Sequence, residues 1–232
     1  MPEKFESTLQ DITLLTPTVK SLFFSVPSSF VFKGGQFVIS SIYLPDGKKI
    51  KRSYSIASAP YLTDKIELCI KLVEGGPGST HYFSMKKGDT IEFFGPFGHF
   101  YCVPKGKPLV FIATGTGLSP LRSMIQDLLH SGYKETITLL TGFRYESEIL
   151  YADEWKELKK NHPNFFYHTI ISKPQHHYQG DKGRVQMLVK KYITDIYSDF
   201  YLCGLWAMIE ETRKLLLDMG VAKDSIYFER YD

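Results

Sequence analysis

Leu109-Val110-Phe111-Ile112-Ala113-Thr114-Gly115-Thr116-Gly117-Leu118-Ser119-Pro120 is where the rhythm of the chain changes. Leu109 to Ala113 is short and wholly apolar, the pattern of a parallel strand buried on both faces. A glycine-rich loop and then a helix, at about 118–131, follow it. The same alternation repeats downstream: strand 136–141, helix 151–160, strand 165–171, helix 184–193, strand 199–203, helix 206–219 and strand 225–229. Strands alternating with helices predict a doubly wound parallel sheet. Such a sheet binds a nucleotide diphosphate at the carboxyl end of a strand, against a helix N-terminus. That makes Thr114 to Pro120 a candidate phosphate loop. Its spacing is not Gly-x-Gly-x-x-Gly, so the argument rests on mechanism and position.

Upstream the period is two. Residues 5–15 and 18–26 alternate apolar and polar around Thr16-Pro17, a hairpin pattern. Gly34-Gly35 precedes a third strand, Gln36 to Tyr43, and Pro45-Asp46-Gly47 is a turn into a fourth, which carries Arg52. Ile66 to Val73 is a fifth, with Leu68, Ile70 and Leu72 on one face. Ile91 to Phe94 is a sixth, closed by Gly95-Pro96-Phe97-Gly98. Six strands and one short helical segment, about 79–86, predict an antiparallel six-stranded barrel. Pro104 to Pro108 reads as a connector, which divides the chain into domains 1–104 and 105–232.

The 232 residues are 43% hydrophobic and 23% charged, an ordinary globular balance. A net charge of +3 is too small to argue for nucleic acid. No leader is visible in Met1 to Gln10, and no apolar run approaches a bilayer's thickness. Cys69, Cys102 and Cys203 are odd in number and far apart. A reducing, cytoplasmic setting is therefore expected, and a four-cysteine iron–sulfur cluster within the chain is excluded. His176-His177 lies in a polar loop without metal-ligand spacing, so no metal is expected. A monomer is the working expectation.

Four further stretches carry chemistry. The first is Lys51-Arg52-Ser53-Tyr54-Ser55-Ile56-Ala57-Ser58-Ala59-Pro60. On a strand, Arg52 and Tyr54 share one face, and Ser53 and Ser55 the other. A guanidinium takes phosphate oxygens bidentately, an aromatic ring packs on a planar ligand, and a hydroxyl can bond a ring nitrogen. The second is Gly75-Gly76-Pro77-Gly78-Ser79-Thr80, an anion site at a helix start, or simply a glycine turn with a serine cap. The third is Cys203-Gly204 with Met208, at a strand end. The fourth is the C-terminus, Phe228-Glu229-Arg230-Tyr231-Asp232, which a preceding buried-type strand should tie down.

In this order, these stretches together resemble the ferredoxin–NADP reductase-like flavoprotein family over nearly the whole chain. The resemblance implies FAD (FMN is the alternative), NADPH or NADH, and hydride transfer between them. Electrons would then pass to a separate acceptor: a ferredoxin, a flavodoxin, an oxygenase component or a small molecule. Arg52 would bind the FAD pyrophosphate, Tyr54 would pack on the flavin with Ser53 nearby, and Ser55 would lie near N5. Ile70, Lys71 and Leu72 of the fifth strand, with Gly76, Gly78, Ser79 and Thr80, would complete the flavin site. Thr114, Gly115, Thr116, Gly117, Leu118, Ser119 and Pro120 would hold the coenzyme pyrophosphate. Gly204, Met208 and Cys203 would meet the nicotinamide, Glu229 would steady its charge, and Tyr231 would cover the flavin. Arg144, Ser147, Tyr151, Ser172 and Lys173 would surround the adenosine end and favour NADPH, unless Glu146 and Glu148 point inward. Lys48, Lys49, Lys51 and Arg52 form a basic patch, and three of them would either attract an acidic acceptor or form a solvated turn. The family's fused Cys-x4-Cys-x2-Cys ferredoxin domain has no counterpart here. Two rivals share the motifs: a free-flavin or quinone reductase, and a non-catalytic flavin- or nucleotide-binding subunit.

Overall fold

The computed structural model describes residues 1–44 and 47–231. Pro45 and Asp46 of the expected turn, and Asp232, lie outside the described residues. The chain divides into two compact units, Met1–Cys102 with Arg122–Leu128, and Val103–Leu121 with Leu129–Asp232.

The first unit contains strands β1 (Glu3–Thr16), β2 (Val19–Ser25), β3 (Phe37–Tyr43), β4 (Lys49–Ser55), β5 (Lys65–Lys71) and β6 (Thr90–Phe97), with helix α1 (Pro77–Ser84) between the last two. They form one antiparallel sheet in the order β4-β3-β6-β1-β2-β5. The sheet curls until its two edges meet through a single bridge, Ile56 to Leu68. Alternating side chains of each strand fill its interior: Leu9, Leu22, Phe24, Val38, Ile66, Leu68 and Phe93 are buried together. Phe24 meets Phe93 edge to face, centroids 5.2 Å apart, a favoured arrangement of ring quadrupoles.

The six-stranded antiparallel architecture is as expected, with three local corrections. The sixth strand runs on to Phe97 and takes up the Gly95-Pro96-Phe97 segment expected as its closing turn, since Phe97 still pairs with Phe37 of β3. The fifth strand ends at Lys71, so Leu72 is exposed and does not share the buried face of Leu68 and Ile70. The short helix begins at Pro77, because a proline is tolerated in the first turn, where its missing N–H has no intrahelical partner.

The second unit contains β7 (Leu109–Thr114), α2 (Leu118–His130, of which Arg122–Leu128 belong to the first unit), β8 (Ile137–Phe143), α3 (Ala152–Asn161), β9 (Phe165–Ile171), β10 (Asp181–Lys182), α4 (Val185–Tyr192), β11 (Asp199–Gly204), α5 (Trp206–Asp218) and β12 (Ile226–Arg230). Its sheet is parallel throughout, in the order β10-β9-β8-β7-β11-β12. β8 and β11 are buried at every position, as strands covered on both faces must be. From β7 the chain proceeds outward through β8 and β9, then returns to β11 on β7's other side. The switch point is therefore at β7 and β11, where the connecting segments leave the sheet in opposite directions. No helix among the described residues is long and apolar enough to cross a membrane.

Leu68 is fully buried and makes the bridge at which the curled sheet meets itself. Leu68→Ala should cost about 2–5 kcal/mol, read as a lowered midpoint in urea unfolding. A loss within experimental error would contradict this account of the core.

Candidate functional site

In the first unit, β4 and the first turn of α1 come together. A Cβ on Gly78 would stand 3.0 Å from Arg52 Cγ and 3.1 Å from the Tyr54 hydroxyl oxygen. Glycine there lets the helix start lie directly against both side chains. Arg52 is exposed, and its Nη1 donates to the Lys51 carbonyl at 2.8 Å. Tyr54 is half-buried, its ring edge-on to Tyr82 at 4.9 Å. Burial pushes its phenol pKa up to about 12 despite the opposing charge of Arg52, so the hydroxyl stays neutral. Ser55 is buried but Ser53 is exposed, so the two serines expected on one face differ in burial, Ser55 lying at the strand's end where the chain turns into the interior.

Ser79 is not the helix cap. Gly76 holds that position with no side-chain bond, while Ser79 Oγ donates to Gly76 O (3.0 Å) and accepts from Val73 N (3.0 Å). The serine thus staples the loop to itself. The first-turn N–H groups of Gly78 and Ser79 have no intrahelical acceptor, and Arg52 lies beside Gly78. Thr80 N is taken up by Gly76 O at 3.0 Å. Ile70 is buried, whereas Lys71 and Leu72 are exposed. Backbone donors beside an arginine and a neutral phenol suit a phosphorylated, planar cofactor.

In the second unit, the ends of β7 and β11 converge. Thr114 closes β7, a 3-10 turn spans Gly115–Gly117, and α2 begins at Leu118. A Cβ on Gly117 would stand 2.5 Å from the Cys203 carbonyl oxygen, and one on Gly204, whose φ is +151°, would run into Thr114 Oγ1 and the Met208 methyl. Both glycines are therefore obligatory. Gly115 instead has φ +55° and open space where a side chain would point, leaving its backbone approachable. Ser119 Oγ donates to Thr116 O at 2.8 Å, and Ser119 and Pro120 are buried. Thr114 Oγ1 is buried with no hydrogen-bond partner among the described residues. A polar atom so placed, under an open glycine turn at a helix start, suits a ligand that brings its own partner.

Cys203 pairs in register with Glu229 of β12, and Tyr231 N donates to Gly204 O at 2.9 Å, tying the C-terminal segment to β11. The Cys203 thiol is fully buried, and that burial raises its pKa well above the usual range, with the nearby Glu229 charge acting in the same direction.

The loops after β8 and β9 are laced by Ser172 N to Phe143 O (3.0 Å) and Lys173 N to Arg144 O (2.8 Å). The two acidic residues expected to threaten this region are turned onto backbone donors. Glu148 Oε2 accepts from Arg144 N at 3.2 Å, and Glu146 Oε1 from Gln175 N at 2.9 Å. Tyr151 has φ +55°, an uncommon conformation for a bulky side chain. The basic stretch is less open than its four residues suggest, because Lys49 Nζ is paired with Glu92 at 3.0 Å. His176 and His177 are exposed, and no metal-ligating cluster occurs among the described residues.

Sequence reading missed a buried polar cluster. Glu67 on β5 and Arg122 on α2 form a 2.6 Å ion pair within the first unit. The available signal was Glu67 inside the otherwise apolar run Ile66-Glu67-Leu68-Cys69-Ile70.

Residues 6–101 match the family described as an oxidoreductase FAD-binding domain, and residues 111–214 that of an oxidoreductase NAD-binding domain. The chain is 34% identical over 241 residues to ferredoxin–NADP reductase B of Sorangium cellulosum (strain So ce56), covering 99% of this chain and 98% of that protein. It is 32% identical over 235 residues to the reductase component of phenol 2-monooxygenase from Pseudomonas sp. (strain CF600), covering 99% of this chain and 66% of that protein. The crystal structure of a ferredoxin NADP+ reductase from Neisseria gonorrhoeae with bound FAD and NADP matches with a TM-score of 0.85 at 27% identity, covering 98% of each chain.

The raised thiol pKa has a chemical consequence. Cys203 stays a neutral thiol through the pH range where a free cysteine ionises, and only the thiolate is nucleophilic. Iodoacetamide at mildly alkaline pH should label the partly exposed Cys102 in the native protein and spare Cys203 until it is unfolded. Peptide mass spectrometry reads the result, and equal labelling of both in the native state would contradict the assignment.

Proposed function

Since the chain belongs to the ferredoxin–NADP reductase family of flavoprotein oxidoreductases, we propose that residues 1–104 hold FAD, residues 105–232 take NADPH, and electrons pass to a separate acceptor protein. FAD, when bound, supplies the redox chemistry, accepting hydride from NAD(P)H and releasing electrons onward. The protein supplies binding, orientation and charge. The observation that carries the reading is the convergence of Thr114, Gly117, Cys203, Gly204 and Met208 at the switch point of the parallel sheet.

Arg52 is the pyrophosphate ligand of FAD, assisted by the first-turn N–H groups of Gly78 and Ser79. Tyr54, neutral at all working pH values, packs on the flavin, with Ser53 and Ser55 beside it. Thr114 to Pro120 hold the coenzyme pyrophosphate. Cys203 presents a neutral, polarisable sulfur to the nicotinamide, and Glu229 accepts a hydrogen bond and steadies the ring's positive charge once it is oxidised. Tyr231 reaches these strand ends through its bond to Gly204. Arg144, Ser172 and Lys173 sit on the laced loops and read the adenosine 2′-phosphate. Glu146 and Glu148 keep their charge, but one oxygen of each accepts from a backbone N–H of those loops, at Gln175 and Arg144. Lys51, exposed on the edge strand β4, with the exposed Lys48 just before that strand, is the cationic feature offered to an acidic acceptor, Arg52 being engaged by the pyrophosphate.

Two variants test the reading. Arg52→Ala removes a charge-assisted contact and should weaken FAD binding by about 1.5–3 kcal/mol. The measurement is flavin fluorescence on titrating apo-protein, and unchanged affinity would sink the FAD assignment. Lys173→Ala should lower the preference for NADPH over NADH by roughly tenfold, the equivalent of about 1.4 kcal/mol, in anaerobic flavin reduction. If the ratio stays put, Lys173 does not read the phosphate.

A further inference from the structure

Residues 56–58 leave β4 directly after the flavin-contacting side chains, and Ile56, Ala57 and Ser58 are essentially buried. A buried segment outside regular sheet must still satisfy its backbone polar groups. Ile56 N donates to Gln36 O at 2.9 Å and Ala57 N to Glu67 O at 2.8 Å. The outward carbonyls find side chains instead. Arg122 Nη1 donates to Ala57 O at 2.7 Å, and Ser123 Oγ to Ser58 O at 2.6 Å. The same Arg122 Nη1 donates to Glu67 Oε2 at 2.6 Å, while Glu67 Oε1 accepts from Ser21 Oγ at 2.5 Å and Glu67 N donates to Ser58 Oγ at 3.0 Å. Every member belongs to the first unit, which includes Arg122–Leu128.

A buried ion pair is a weak source of net stability, because desolvating both charges offsets most of their attraction. What it supplies is geometry. Here one guanidinium nitrogen is shared between a carboxylate of β5 and the main chain two residues past Ser55. We propose that Arg122 is a positioning residue for the flavin. By holding the Ala57 carbonyl against Glu67, it sets the path of the chain where β4 ends, and so aligns Tyr54 and Ser55. This rests on the reading that β4 carries FAD.

The test uses the full chain. Glu67→Met with Arg122→Met removes the pair without stranding a buried charge, and Arg122→Lys keeps a cationic donor in place. Four quantities are read: the thermal midpoint of the apo-protein, the FAD dissociation constant, the visible circular dichroism of the bound flavin, and the NADPH dependence of anaerobic reduction. The double variant should unfold near the parent's midpoint yet bind FAD about tenfold more weakly. Its flavin dichroism should change, and its limiting reduction rate should fall while the apparent NADPH dissociation constant holds. Arg122→Lys should recover most of the FAD affinity and the dichroism. Parent-like affinity and dichroism in the double variant overturn the proposal, as does an Arg122→Lys protein no better than the double variant. If the double variant does not fold, Ser123→Ala decides, since it removes one donor and no charge. It should bind FAD about threefold more weakly at an unchanged thermal midpoint, and parent-like FAD binding in it overturns the proposal. A parent protein that binds no FAD overturns the reading underneath, and is told apart because the parent itself fails.

Discussion

A side chain at residue 117 would occupy the space of the Cys203 carbonyl. That one close approach of main chain to main chain organises the nucleotide side of the protein. It lets the turn after β7 settle onto the end of β11, which sets α2 off from the sheet at Leu118. It also brings Thr114, Gly204 and Met208 within contact of one another. Glycine costs conformational entropy in the unfolded chain, and Gly204 adds a backbone conformation that other residues avoid. Two such positions side by side let the turn, β11 and the start of α5 pack without a gap. Gly115, by contrast, has nothing near its missing side chain.

The flavin side solves a different problem. A curled sheet of six strands has an apolar interior and two edges whose backbone groups need partners. Among the described residues the edges meet at one bridge, Ile56 to Leu68, so the chain leaving β4 has backbone partners for the N–H groups of Ile56 and Ala57 while the carbonyls of Ala57 and Ser58 are taken by side chains. This is why β5 buries a glutamate in the middle of an apolar run, and why an arginine answers it. The polar cluster is not a defect in the core. It completes the hydrogen bonding of a segment that neither sheet nor helix provides for.

Most of the fold is legible because it rests on period. The alternation in residues 5–15 and 18–26 and the apolar run at Leu109 to Ala113 each identify an element without tertiary context. What escapes does so for identifiable reasons. β10 is two residues long and carries no period. The end of β6 depends on Phe97 pairing with Phe37, a contact across 60 residues that local turn chemistry does not reveal. Ser79 looks like a helix cap because serine favours that position, yet Pro77 starts the helix earlier and frees the hydroxyl for the loop. Glu67 and Arg122 are visible as single oddities, but their pairing depends on the three-dimensional path of both segments. The candidate site was readable in its glycines, whose spacing is local, and unreadable in the side chains that hold its backbone from a distance.

The coenzyme loops carry the reasoning one step further. Two glutamates within four residues of Arg144 look hostile to a phosphate, and a charge does not vanish when it accepts a hydrogen bond. Both residues are half-buried, and Glu146 Oε2 is buried with no hydrogen-bond partner among the described residues, so solvent screens them only in part. What the bonds to Arg144 N and Gln175 N add is order within the two loops. Tyr151 fits the same pattern. Its left-handed backbone is costly, and the chain there is held by the buried Trp155. Trp155 donates its indole N–H to Leu150 O at 3.0 Å, and its backbone N–H to Tyr151 O at 3.1 Å. A left-handed tyrosine beside a buried tryptophan is thereby tied to the interior. The acids and the left-handed tyrosine therefore act on the same stretch of chain, the acids through bonds to its backbone and the tyrosine through its anchored neighbours.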